Sequence, residues 1–133
     1  MTLPSCPVTA PNGSTPPGER PSAAHHGNGA LWTALGWPGG RIPVSAPYLQ
    51  PDGAVRMKFP WWRGSSARGP LAIEGRRLDA DAPPLRAHLP AGYGDAFQAS
   101  ALFFPTEGCW RVTGASGGAT LTFVVIVGGC DRC

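Results

Sequence analysis

The sequence predicts a single all-β sandwich, and three observations carry that prediction. Apolar residues recur at every second position in several segments. Clusters of Pro, Gly, Asn and Asp punctuate the chain between those segments. Proline or glycine interrupts nearly every stretch in which a helical period would otherwise run. A length of 133 residues suits one hydrophobic core and is too short for two.

Residues 1–29 read as an irregular Pro/Gly-rich arm, and residues 30–133 as the sandwich domain. Six of the 16 prolines fall in the first 22 residues, whereas residues 106–133 contain none. The arm carries its own turn signals at Pro11-Asn12-Gly13 and Pro16-Pro17-Gly18. The clearest strand follows Pro51-Asp52-Gly53, with Val55, Met57 and Phe59 on one face and Arg56 and Lys58 on the other. Leu71 and Ile73 alternate with Ala72 and Glu74, and Phe97, Ala99, Ala101 and Phe103 alternate with Gln98, Ser100, Leu102 and Phe104. In the last strand Leu121, Phe123, Val125 and Val127 are expected to face the core. Its other face turns apolar at Val124 and Ile126, so this strand is expected to be covered on both sides, by the arm or by a partner. About seven short antiparallel strands are expected in all.

Composition narrows the function. The charged share is 14% and the net charge +3, from ten Arg and one Lys against eight acids. Those charges are scattered, and no basic run exceeds Arg76-Arg77, which argues against a nucleic-acid partner. The longest largely apolar run, Leu121 to Val127, is too short to cross a bilayer, so no transmembrane segment is expected. Residues 1–30 lack the apolar centre of a signal peptide.

Four cysteines, Cys6, Cys109, Cys130 and Cys133, suit an oxidising compartment. A Cys6–Cys109 disulfide would pin the arm to the body of the domain. Cys130 and Cys133 form a C-x-x-C spacing with no helix after it, unlike the redox motif, and read as a small disulfide or two thiols. Leu3-Pro4-Ser5-Cys6 partly resembles the lipobox of bacterial lipoproteins, which gives Cys6 a competing role as a lipid anchor.

Phe104-Pro105-Thr106-Glu107-Gly108-Cys109-Trp110-Arg111-Val112-Thr113, a Gly-rich turn and Leu121-Thr122-Phe123-Val124-Val125 then form a recognisable unit. It resembles the last hairpin of bacterial immunoglobulin-like (Ig-like) modules, in which a Pro-x-x-Gly-x-aromatic corner precedes the penultimate strand and the aromatic plugs the core. The whole chain also resembles domains of bacterial secreted lipoproteins. The resemblance implies an Ig-like sandwich, secreted or held at the cell envelope, and implies no chemistry.

Motifs with chemical meaning are few. Gly114-Ala115-Ser116-Gly117-Gly118 matches the spacing of a nucleophile elbow, but that chemistry needs a strand-to-helix turn, and here strands flank both sides. His25, His26 and His88 are the candidate ligands for copper or zinc. Adjacent residues of an extended segment point to opposite sides, so His25 and His26 are awkward partners for one ion. Asp79, Asp81, Asp95 and Glu107 are the acids a small hydrolase would use, and their spacing selects no pair. Gly27-Asn28-Gly29 lacks the Lys-Ser/Thr of a phosphate loop.

The aromatic residues say more. Phe59-Pro60-Trp61-Trp62-Arg63-Gly64 sends Trp61 to the Phe59 face and Trp62 to the opposite one. Trp61 and Trp110 are expected inside. Aromatic faces beside Arg stack sugar rings or anchor protein interfaces. The sequence therefore points to an extracytoplasmic binding module for a glycan or protein, with Trp62, Arg63, Trp37 and Tyr48 as the contact surface and no cofactor. The alternative is a small secreted enzyme, using either the histidines and a metal or the loop acids.

Overall fold

The computed structural model describes residues 6–128. Leu3-Pro4-Ser5 of the lipobox-like stretch and the C-x-x-C pair Cys130 and Cys133 lie outside the described residues. The described chain is all-β, with nine strands in two sheets. One sheet holds β1 (His25–Gly27), β2 (Leu31–Ala34), β4 (Val55–Arg63), β7 (Phe97–Phe104) and β6 (Arg86–His88), side by side in that order. The other holds β3 (Arg41–Ile42), β9 (Ala119–Val127), β8 (Gly108–Ser116) and β5 (Ala72–Arg77). Every ladder is antiparallel except β3 on β9.

The strand count exceeds the expected seven because β1, β3 and β6 are two or three residues long. Nothing so short shows a period. The arm also proves less irregular than expected, since β1 lies within it and forms a hairpin with β2 across the 29/30 boundary. Asn28 makes that turn, its Oδ1 accepting from the N–H groups of Ala30 and Leu31 at 3.0 Å each.

Alternation places the core as expected. Val55, Met57, Phe59, Trp61 and Arg63 of β4 are buried, and the residues between them point outward. Trp61 and Trp110 are fully buried, with Phe59, Phe104 and Phe123 among them. The rings of Phe59 and Phe123 stack at 5.5 Å and those of Phe104 and Trp110 meet edge-on at 5.5 Å. The two buried indoles keep their donors satisfied: Trp61 Nε1 donates to Ser100 Oγ at 3.0 Å, and Trp110 Nε1 to the Thr106 carbonyl at 2.9 Å. The second bond closes the corner that leads into β8.

Proline in a central strand is unusual because it lacks a ladder donor. Pro60 sits in β4 between β2 and β7, but the β2 ladder stops at the Thr33–Trp61 pair. The Pro60 carbonyl is met there by the Thr33 hydroxyl at 2.7 Å, so the missing N–H faces a place where no ladder bond is due.

Three devices hold the arm down. Cys6 is bonded to Cys109 of β8, closing a loop of 103 residues in sequence separation. The Thr9 N–H donates to the Val124 carbonyl at 3.0 Å, and the Val124 N–H donates back to Thr9 Oγ1 at 2.8 Å. The arm is therefore what covers the apolar end of β9, where it also satisfies edge groups beyond the short β3. Further on, Asn12 Nδ2 donates to the Gly27 carbonyl at 2.7 Å, and Trp32 Nε1 donates to Ser14 Oγ at 3.0 Å.

Candidate functional site

Residues expected to form one contact surface lie in separate places. Trp62 stands on the outer face of the five-stranded sheet, paired across the ladders with Trp32 on one side and Phe97 on the other. Its ring meets those of His25 at 5.5 Å and Phe97 at 5.6 Å, and Phe97 meets Tyr93 at 5.6 Å. A row of rings, His25–Trp62–Phe97–Tyr93, thus crosses this end of the sheet. His25 is buried, Trp62 and Phe97 are half-buried, and Tyr93 is 45% exposed. Trp32 shares the outer face but is buried under the arm. Gly27 stands opposite it, where any Cβ would run into the indole.

Arg63 does not join this face. Strand alternation turns it inward, and its side chain is buried. Nε donates to the Ala96 carbonyl at 3.3 Å, Nη2 to the Gly94 carbonyl at 2.8 Å and Nη1 to the Gly69 carbonyl. Each of its three nitrogens serves loop backbone, so the expectation of an Arg beside Trp62 on a contact surface is corrected.

Trp37 is elsewhere too. It follows β2 in the loop before β3 and packs on the core ring of Phe59 at 4.9 Å. Half-buried, it floors an apolar groove of about 520 Å³ between that loop and the arm, with Leu35, Val8 and Pro11. Tyr48 is exposed at the opposite end of β4, where its carbonyl accepts from the Arg56 N–H at 2.7 Å. Six residue steps along β4 separate Arg56 from Trp62, about 20 Å of extended chain.

The candidate metal ligands are dispersed. His25 faces outward against Trp62, and its Nδ1 has no hydrogen-bond partner among the described residues. His26 points the other way and accepts from the Asn12 N–H at Nδ1, 3.2 Å. Burial pushes the His26 imidazole below its ordinary pKa. His88 lies on β6, at the far edge of the sheet from β1. Among the described residues no group of three His, Cys, Asp or Glu side chains is placed to hold a metal ion.

Two of the four candidate acids, Asp79 and Asp95, are committed to partners. Asp79 accepts from Arg77 Nε at 2.7 Å and from the Cys109 N–H at 3.1 Å; the Arg77 bond is the main cause that holds its carboxyl below the usual range. Asp95 pairs with Arg68 at 2.8 Å. Ser116 ends β8, ahead of a two-residue turn in which Gly117 and Gly118 both take positive φ, 56° and 83°. Its hydroxyl is buried and donates to the carbonyls of Ala67 at 2.7 Å and Gly69 at 3.0 Å, and no helix follows.

What the sequence reading missed is the other half of the outer face. Next to the ring row lies a cleft of about 270 Å³ lined by Arg56, Lys58, His88, Tyr93, Ala99 and Ala101. The alternation that exposes Arg56 and Lys58 was visible; the neighbouring strand that brings His88 beside them was not, because β6 has three residues.

Comparison with family models, curated proteins and solved structures returns no match for this chain. Among the described residues no helix is long and apolar enough to cross a membrane. The disulfide fits an oxidising compartment. It also uses the Cys6 sulfur, which therefore cannot carry a thioether lipid in this structure, so the lipid-anchor role for Cys6 is not carried forward.

Proposed function

We propose that this chain is an extracytoplasmic binding module of the Ig-like sandwich class that recognises a glycan on the outer face of its five-stranded sheet. The class is supported by strand order. The neighbours β2-β4-β7-β6 and β9-β8-β5 reproduce the A-B-E-D and G-F-C sheets of that fold if β2 is taken as the first strand. The compartment is supported by the Cys6–Cys109 bond, since such bonds persist outside the reducing cytosol.

The observation that carries the glycan reading is the row Trp62–Phe97–Tyr93, three rings at 5.6 Å steps on a sheet face, left partly open to solvent. A core has no use for rings on this side, and flat apolar faces with polar groups nearby suit the C–H faces of sugars. The test is a glycan panel probed with the wild type and with Trp62→Ala, each checked for folding by thermal melting. Loss of binding in the variant at an unchanged fold supports the reading. Binding that survives Trp62→Ala, or a wild type that takes a protein ligand and no glycan, overturns it.

A further inference from the structure

Across β4, β7 and β6 the ladder register lines up outward-facing residues in rungs. Lys58 stands opposite Ala101, and Ala101 opposite His88. On the next rung Arg56 stands opposite Phe103, and Phe103 opposite Arg86. Neighbouring strands lie about 4.8 Å apart, so Lys58 and His88 stand about 10 Å from one another with only a methyl group between them. That small middle residue is why a cleft opens there, floored by Ala99 and Ala101 and walled on one side by Tyr93.

Charge on this half of the face is one-sided. The outward positions of β4, β7 and β6 hold Arg56, Lys58, Arg86 and His88 and not one acid. Arg86 is paired with Asp52 at 3.3 Å, both of them well exposed, and it lies over the Phe103 ring at 4.9 Å. Arg56 sits on the other side of that ring position at 6.0 Å. Neither Arg56 nor Lys58 makes a salt bridge among the described residues. Tyr93 belongs to both halves, ending the ring row and lining the cleft.

We infer that the ligand is an acidic glycan, a polysaccharide with carboxylate or sulfate groups. A sugar ring rests on the Trp62–Phe97–Tyr93 row, and the anionic group of that ring or the next enters the cleft between Lys58 and His88. The inference rests on the glycan reading above and adds the charge of the ligand to it. The patch spans two rungs beside an aromatic surface, which suits single anionic groups on a chain of rings. A duplex, with its phosphates in continuous rows, would need a longer basic stripe.

The experiment is calorimetric titration of the oxidised protein with four probes: oligogalacturonate, dextran sulfate, a neutral cello-oligosaccharide and duplex DNA. Wild type is compared with Lys58→Gln, with Trp62→Ala, and with Arg111→Gln, which removes a charge from the other sheet. The expected result is that Lys58→Gln weakens an acidic glycan about tenfold or more, while Arg111→Gln leaves it unchanged and salt weakens it steeply. Oligogalacturonate preferred over dextran sulfate identifies a carboxylated ligand, and the reverse a sulfated one; either supports the cleft. A neutral glycan bound through Trp62 with no effect of Lys58→Gln leaves the glycan reading standing and overturns this inference. Equal losses in Lys58→Gln and Arg111→Gln reveal attraction to net charge alone and overturn it. Duplex DNA bound more tightly than either acidic glycan overturns it as well, and no glycan bound at all overturns both readings.

Discussion

Arg63 and Ser116 converge on one acceptor, the carbonyl oxygen of Gly69, the first from the five-stranded sheet and the second from the four-stranded one. The loop between β4 and β5 is thereby tied to both sheets at a single atom. Both side chains carry types that suggest function in the sequence, an Arg after two tryptophans and a Ser between glycines. Each is spent instead on holding loop backbone through its carbonyls.

Removing the Arg63 guanidinium should be costly. Arg63→Met keeps much of the apolar stem but removes three hydrogen bonds: Gly94 loses its donor, while Ala96 keeps only the residue-63 N–H and Gly69 only the Ser116 hydroxyl. A loss of about 3 kcal/mol in urea unfolding is expected, from hydrogen bonds to a charged donor. Arg63→Lys should recover little, because one ammonium cannot span three acceptors.

Ser116→Ala removes one hydroxyl and leaves the Ala67 carbonyl without that donor. Destabilisation of about 1–2 kcal/mol is expected in the same assay. Ester substrates should report no activity lost, since the hydroxyl is inside and already donating.

The Cys6–Cys109 bond should dominate the stability of the oxidised protein. Replacing both residues with Ser is expected to lower unfolding free energy by about 4 kcal/mol for so long a loop. Wild type under reducing conditions should match the double variant. Denaturant midpoints with and without reductant are the measurement.

Acid should loosen the arm before it unfolds the domain. His26 accepts from Asn12 through an unprotonated Nδ1, and its pKa in the folded state is lowered from 6.5. The unfolded chain therefore takes up the proton first, and the contribution present above pH 6.5 is lost as pH falls from there through the folded pKa. Protection of the Asn12 and Gly27 amides against hydrogen exchange, relative to the free-peptide rate at each pH, should fall over that window, and His26→Gln should abolish the change.

A second loss is expected at lower pH. Asp79 is held below its ordinary 3.8 chiefly by Arg77, so its contribution is complete above that value and disappears as pH falls through the lowered pKa. Its side chain is 42% exposed, so the effect should be small and sensitive to salt. Acid titrations of wild type and Asp79→Asn should diverge above the transition and converge below it.

Much of the sandwich is legible in the chain because alternation is a local signal. The inward set Val55, Met57, Phe59 and Trp61 can be read without knowing any partner strand. So can the opposed directions of Trp61 and Trp62. The site is less legible because it is made between strands. Lys58 and His88 are 30 positions apart in sequence, and only the β6–β7–β4 register places them across one alanine. Arg63 fails for a different reason. Composition treats a guanidinium as a surface group, whereas here loop carbonyls supply enough acceptors to bury it.

The attachment of Thr9 to β9 sets an order of events for a newly made chain. Residues 6–9 leave the ribosome ahead of their partners at 109 and 124, which lie 103 and 115 positions further along the chain. Until Cys109 is made the Cys6 thiol lacks its mate, and the β9 edge does not yet exist. The arm can settle only as a closing step on strands already assembled, with long-range contacts that form slowly. Closing the Cys6–Cys109 bond then shortens the search of Thr9 for β9, because the two contacts lie on neighbouring strands.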